Sequence, residues 1–197
     1  MINIIEIEEN LMQGKKPNLV TSGEGWDCWI SGGAIRSWFN GEKTRDIDVF
    51  FKSNVEMESF INSNCLKNKL FESQSAITWE KENSIIQTIK IFKNSIEELF
   101  DSFDFVICQF AYDGKKIYST PQAIVDTLRK HLGIHKIQNG YELDSLRRSF
   151  KYFEKGYRPC IGTLEQIALS FRDIKEEDLK KQVEISPGGH KRGVKWD

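Results

Sequence analysis

Hydrophobic and polar positions divide the chain into short runs whose period switches between strand-like and helix-like. In "WDCWISGG", residues 26–33, β-forming residues run up to a glycine pair, which predicts a strand that stops there. In "AIRSWF", apolar residues recur at Ala34, Ile35, Trp38 and Phe39, the spacing of one helix face, and Asn40-Gly41 supplies a stop. After the loop Glu42–Arg45, "DIDVFF" predicts a second strand over 46–51. Residues 54–72 read as one amphipathic helix, and "IIQTIKIF", Ile85–Phe92, as a strand without Pro or Gly to break it. Ser95 and Glu98 fit a capping box for a short helix through Phe100. "FDFVICQFAY", residues 103–112, predicts a third carboxylate-bearing strand, with Asp104 near its start and Asp113-Gly114 closing it. At the N-terminus, residues 1–20 predict a short helix or strand and then a polar loop around Pro17.

The C-terminal third has the helical period. Thr120-Pro121 opens a helix to about Leu132, with proline at the first helical position, where no N–H is needed. "LDSLRRSFKYFEKG" aligns Leu143, Leu146, Phe150 and Phe153 as the expected core stripe and puts Arg147, Arg148, Lys151 and Lys155 largely on other faces. Asp144 is the expected N-cap and Gly156 the stop. The basic residues fit either a solvated face or a surface contacting base or phosphate. Thr163 and Gln166 cap "LEQIALSFRDI", and "EEDLKKQVEI" forms a further helix or stays half-exposed. The last stretch, "SPGGHKRGVKWD", reads as a mobile basic tail, with a frayed end set against contact with RNA or a protein partner.

Composition narrows the class. The 197 residues suffice for one sizeable core, and 39% hydrophobic with 29% charged residues is an ordinary globular balance. The formal net charge of −1 gives no global attraction to nucleic acid, so any such site must come from local clusters of Lys and Arg. The opening "MINIIEIEEN" carries glutamates where a signal peptide carries positive charge, and no apolar run approaches the roughly 18 residues of a membrane span. A cytoplasmic protein without a membrane partner is expected. Cys28, Cys65, Cys108 and Cys160 form no C-x-x-C pair, and are expected as reduced, mostly buried thiols. His131 and His135 have a spacing that can ligate metal from one helix face, but Gly133 between them favours a helix end leading into a turn.

The chemistry concentrates in "SGGAIR" and "DIDVF". Residues two apart on a strand share a face, so Asp46 and Asp48 set their carboxylates side by side, about 7 Å apart at the backbone, where they repel. A bound divalent cation resolves the repulsion, and hard oxygen ligands suit Mg²⁺. Asp104 on a neighbouring strand would add a third carboxylate and room for a second Mg²⁺, with Asp101 and Glu82 as rivals outside predicted strand interiors. Gly32 and Gly33 allow backbone N–H groups to approach phosphate at the start of the following helix, Ser31 adds a hydroxyl, and Arg36 one turn on can reach the same triphosphate. A dehalogenase-type phosphatase also uses D-x-D, but asks for Thr or Val where this chain has Phe50. A D-x-D glycosyltransferase leaves the glycine turn and Arg36 without a role.

"SGGAIR", a spacer and "DIDVF" resemble the glycine-pair and D-x-D signature of the DNA polymerase β-like nucleotidyltransferase superfamily, in particular the head and neck of CCA-adding enzymes and bacterial-type poly(A) polymerases, over roughly residues 25–155. The resemblance implies an α+β nucleotidyltransferase fold, a mixed twisted sheet flanked by helices, with a small C-terminal helical region. It implies a head over 1–125, a neck-like region over 126–185 and a flexible basic tail over 186–197. It implies Asp46, Asp48 and Asp104 as ligands of two Mg²⁺ ions, with Ser31, Gly32, Gly33 and Arg36 holding ATP or another NTP. "LDSLRRSFKYF" resembles the segment that contacts the incoming base through Asp144, Arg147 and Lys151. The implied reaction is template-independent transfer of NMP to an acceptor hydroxyl, an RNA 3′ end such as that of tRNA, with release of pyrophosphate. Two departures stand out. Ser37 replaces the aspartate usual after the arginine, and only about 40 residues follow the neck, so a full CCA-adding enzyme is not expected. The same superfamily includes toxin-like transferases that modify tRNA or protein, and a structural or regulatory subunit without catalysis is the non-enzymatic alternative.

Overall fold

The computed structural model describes residues 2–17, 28–44 and 46–185; the basic tail and residues 18–27 lie outside it. The chain is α+β. β1 (Ile5–Ile7), β2 (Cys28–Ser31), β3 (Asp46–Phe51), β4 (Asn68–Glu72), β5 (Ala76–Lys81), β6 (Ser84–Ile89), β7 (Phe110–Tyr112) and β8 (Ile117–Ser119) form one mixed sheet in the order β1-β8-β7-β2-β3-β6-β5-β4. β3 lies in its interior, antiparallel to β2 and parallel to β6. The helices are α1 (Gly33–Asn40), α2 (Asn54–Ser63), α3 (Ile96–Asp101), α4 (Pro121–Leu128), α5 (Glu142–Glu154), α6 (Ile161–Ser170) and α7 (Glu176–Ile185).

Alternation along the central strands splits the core in two. Ile47, Val49 and Phe51 of β3 pack with Ile30, Ile35, Trp38 and Phe60 on one face. On the other face Phe50 meets Phe103 edge to ring at 5.8 Å, beside Trp29, Phe100, Phe105 and Tyr152. Asp46 and Asp48, in phase with Phe50, therefore belong to this second face, which α5 covers in part.

The elements legible from local pattern stand where expected. β2 ends at the glycine turn, α1 ends at Gly41 in the left-handed region (φ 72°), and the DIDVFF strand runs over its expected residues. Thr120 caps α4 by accepting from the Ala123 amide. Ser95 caps α3, while Glu98 reaches back to the Asn94 amide and not to that of Ser95.

Elsewhere tertiary pairing overrides the period. The helix expected over 54–72 stops at Ser63, where the Asn64 side chain donates to the Phe60 carbonyl and Cys65 turns left-handed (φ 51°). The remainder becomes β4, paired with β5, a strand the pattern did not announce. The strand expected over 103–112 is a bend at Asp104, a bridge at Phe105, a 3-10 turn over Val106–Cys108 and only then β7. α4 ends at Leu128, short of Leu132, as Lys130 adopts φ 54°.

α5 shows the largest departure. It begins at Glu142 with Tyr141 as N-cap, not at Asp144, and its expected core stripe is only half covered: Leu143 and Leu146 are half-buried, while Phe150 and Phe153 face outward, 63% and 51% exposed. Glu142, Ser145 and Tyr152 are the buried positions. The helix docks through a polar and aromatic seam: Ser145 donates to Asp104, Arg148 ion-pairs with it, and the Tyr152 ring packs edge-on against Phe105 and Tyr157.

Candidate functional site

β2 and β3 form the floor of the site. Ser31 pairs directly with Asp48 across the ladder, so the residue that leads into the glycine turn and the second aspartate share a face. Gly32 then takes φ 74° and ψ −130°, a conformation that favours glycine, and no side chain caps the helix that follows. A Cβ on Gly32 would stand 3.9 Å from Asp48 Oδ2, which measures how closely the turn and the carboxylate approach. The first-turn amides of a helix have no intrahelical acceptors, so the start of α1 and Asp48 present donors and a carboxylate to one spot.

Asp46 is exposed and Asp48 half-buried. Burial pushes the Asp48 carboxyl up to about 6, Arg148 and Lys151 pull against that shift, and Asp46 adds to it. Partial desolvation, together with Arg36 and Lys151, holds the Lys155 ammonium below its usual range. Arg148, Lys151 and Lys155 thus give α5 a basic side toward the aspartates. Their spacing of three and four is the stripe of one helix face.

The structure brings together Gly32, Gly33, Asp46 and Asp48, with Lys151 acting electrostatically on Asp48; Ser31 and Arg36 lie beside them but are buried in the fold, and Asp104, Asp144 and Arg147 are engaged elsewhere. Ser31 is fully buried and donates to the Phe110 carbonyl at 2.6 Å, so its proton is committed to the fold; the Gly32 amide donates to the same carbonyl at 2.9 Å. Arg36 does not reach an open cleft. Its guanidinium is 0% exposed, lies between the Tyr152 and Tyr157 rings at 5.2 Å from each, and finds no hydrogen-bond acceptor for its side-chain nitrogens. Its Nη2 folds back to 3.8 Å from the Cβ position of Gly33, which puts a buried cation beneath the glycine turn. Asp144 and Arg147 pair with each other at 3.2 Å on an outward part of α5, with Arg147 exposed.

Asp104 is buried and lies on no strand. Oδ1 accepts from the Phe105 amide at 2.9 Å and pairs with Arg148 at 3.1 Å, while Oδ2 accepts from Ser145 at 3.2 Å. The strand alongside β3 is β6, and the residue opposite Asp48 there is Gln87, an amide. Among the described residues no group of three or more His, Cys, Asp or Glu side chains is arranged to hold a metal ion. Arg148 instead stands electrostatically between Asp104 and Asp48. Sequence reasoning left Arg148 and Lys155 open between a solvated face and a contact surface, and did not single out Gln87. The i, i+3, i+7 spacing of Arg148, Lys151 and Lys155 was a usable signal for the first two, whereas Gln87 needed the strand register.

Residues 6–130 match the family described as Gad2, Gabija anti-defense 2 family protein. The chain belongs to the Gad2 family. A curated relative of this Gad2-family chain, named "Gabija anti-defense 2" from Bacillus phage SPbetaL7, is 27% identical over 176 residues, which is 85% of this chain and 42% of the relative. The chain therefore spans about two-fifths of that relative's length. Among solved structures it is similar to the Thermotoga maritima CCA-adding enzyme complexed with tRNA (TM-score 0.56, 17% identity, 80% of this chain and 42% of that one). It is likewise similar to a tRNA nucleotidyltransferase complexed with a primer tRNA and an incoming ATP analog (TM-score 0.54, 13% identity, 80% and 52%). At such identities the likeness is one of fold, and the fold of this Gad2-family chain is that of the nucleotidyltransferases. No described helix is long and apolar enough to cross a membrane.

Proposed function

We propose that this chain is a divalent-metal-dependent nucleotidyltransferase that moves NMP from an NTP to an acceptor hydroxyl, with an RNA 3′ end as the acceptor class, and that the reaction serves phage counter-defence, the role named in its relative. The observation that carries this reading is the approach of Asp48 to the Gly32 turn, because it puts a carboxylate and uncapped helix amides at one spot. The donor set fits a hard cation: two carboxylate oxygens on one strand face, one of them with a pKa raised by burial, which a bound cation would reverse. Asp46 and Asp48 would hold Mg²⁺, which when bound neutralises charge on the phosphates and lowers the pKa of an attacking hydroxyl.

The chain's own residues supply the rest. The first-turn amides of α1 hold phosphate oxygens, and Arg36 beneath them adds positive potential from a fixed, buried position. Lys151 and Lys155 line the cleft from α5, and Arg148 faces Asp48 from a position held by Asp104 and Tyr152. In this reading Asp104 acts through Arg148 and does not ligate an ion directly.

Incubation of the protein with Mg²⁺, each labelled NTP in turn and total RNA tests the proposal. Label is expected in RNA, and is expected to disappear with EDTA or with Asp48→Asn. Label in protein would move the acceptor to the toxin-like class, and absence of label with every NTP would overturn catalysis. Gln87 beside Asp48, in place of a third carboxylate, favours a second reading, an NTP-binding protein that does not turn over. That reading predicts Mg²⁺-dependent NTP binding by calorimetry without pyrophosphate release.

A further inference from the structure

The second face of the sheet is covered only in part. Its core takes in Trp29 of β2, Phe50 of β3 and Ala111 of β7, and no residue of β4, β5 or β6. β5 and β6 send Ile77, Trp79 and Ile86 into the first core, so alternation turns their remaining side chains toward a face that the second core does not reach. The register carries one cross-strand row from the cleft onto that face. Asp48 pairs with Gln87 of β6, Gln87 with Thr78 of β5, and Thr78 with Phe71 of β4, where regular pairing resumes after the shift between Lys69 and Phe71. Residues paired across a ladder share a face, and three strand spacings put Phe71 about 14 Å from Asp48. Phe71 is 58% exposed on the outermost strand. Gln87 and Thr78 are half-buried, and among the described residues neither side chain has a hydrogen-bond partner.

We infer that this row is the track on which the acceptor lies: a single-stranded RNA 3′ end with one base stacked on the Phe71 ring, Thr78 and Gln87 hydrogen-bonding bases or ribose hydroxyls, and the terminal hydroxyl delivered to Asp48. The inference rests on the nucleotidyl-transfer reading above and adds the surface that selects the acceptor.

Access and chemistry both favour this occupant. α5 and the turn before β7 close the other side of the cleft, where Tyr152 packs on Phe105 and Arg148 pairs with Asp104, and the Phe50–Phe103 contact ends the covered area. The approach over β6, β5 and β4 is the open one. Acid stands in the adjacent row, with Asp46 opposite Ile85 and Ile85 opposite Glu80, and neither row holds a Lys or Arg. A phosphate backbone pressed onto this face would meet those carboxylates, so the bases turn to the sheet and the phosphates to solvent and the basic side of α5. A duplex cannot do this, because its bases are already paired and stacked. Stacking on an aromatic ring tolerates any base, and a carboxamide both donates and accepts, so the track reads single-strandedness more than sequence.

The full chain is titrated against a 5′-fluorescein-labelled single-stranded RNA octamer, with Mg²⁺ and without NTP, and anisotropy gives the affinity. Phe71→Ala is expected to weaken binding roughly tenfold, the effect of losing one base–aromatic stack, and Phe71→Trp to preserve it. Gln87→Ala is expected to weaken it about threefold. Phe150→Ser, which removes an exposed ring from the outward side of α5, is expected to leave it unchanged. A blunt duplex of the same sequence is expected to bind at least about tenfold more weakly than the single strand. No binding of the single strand, equal affinity of wild type and Phe71→Ala, a loss that Phe71→Trp shares, or equal binding of the duplex would overturn the inference. Incorporation of labelled NTP into RNA separates the two readings. Incorporation together with an affinity indifferent to Phe71→Ala removes the track and leaves the catalysis, whereas Phe71-dependent RNA binding without incorporation removes the catalysis and leaves the track.

Discussion

Asp48 carries a desolvated carboxylate whose folded pKa, about 6, lies above its ordinary value of 3.8. A raised carboxylate pKa means the fold binds the proton more tightly than the unfolded chain does. The resulting stabilisation is fully present below 3.8 and is lost as pH rises through 6. The metal-free protein is thus expected to melt higher at pH 5 than at pH 7 on account of this group. Asp48→Asn is expected to raise stability at pH 7 by roughly 1–2 kcal/mol, after discounting for partial exposure, and to flatten the pH dependence, as checked by thermal melts at both pH values. Asp104 and Arg148 obey the opposite logic. Each single alanine substitution leaves a partner in a largely buried setting, so each should cost about 2 kcal/mol, and a double-mutant cycle in urea should show coupling above about 0.5 kcal/mol.

At the scale of elements, α1 and β3 were legible because a glycine pair, a helix-spaced apolar face and a D-x-D strand are local signals that agree with one another. α5 was not. Its period of Leu143, Leu146, Phe150 and Phe153 is a genuine amphipathic stripe, yet the helix docks by Ser145, Arg148 and Tyr152. Phe150→Ser is therefore expected to change stability by less than about 0.5 kcal/mol, whereas Tyr152→Ala should cost about 3 kcal/mol. Denaturant titration of the two variants separates the apolar stripe from the buried seam. Residues 54–72 show the same limit, since a helical period continued into a segment that pairs with β5. Chain-local periodicity reports a preference, and strand pairing outweighs it.

At the scale of the molecule, one twisted sheet holds the glycine turn and the two aspartates on a common floor while α5 supplies the basic side. If that cleft binds NTP with its cation, the pair together should raise the melting temperature, by about 2.7 kcal/mol of stabilisation at a hundredfold excess over the dissociation constant. NTP or Mg²⁺ alone should do much less, and Asp48→Asn should remove the effect; differential scanning fluorimetry reads all three.

The sequence by itself determined the α+β character, the strand-turn-helix around Gly32 and Gly33, and the shared face of Asp46 and Asp48, because each depends on residues within a few positions of one another. Only the tertiary structure decided that Arg148 rather than Arg147 faces Asp48, that Gln87 is its neighbour on the next strand, that Arg36 is enclosed by Tyr152 and Tyr157, and that Asp104 is tied to Ser145, 41 positions away. Those outcomes depend on strand register and helix docking. They are set by contacts between distant segments, which no local period encodes.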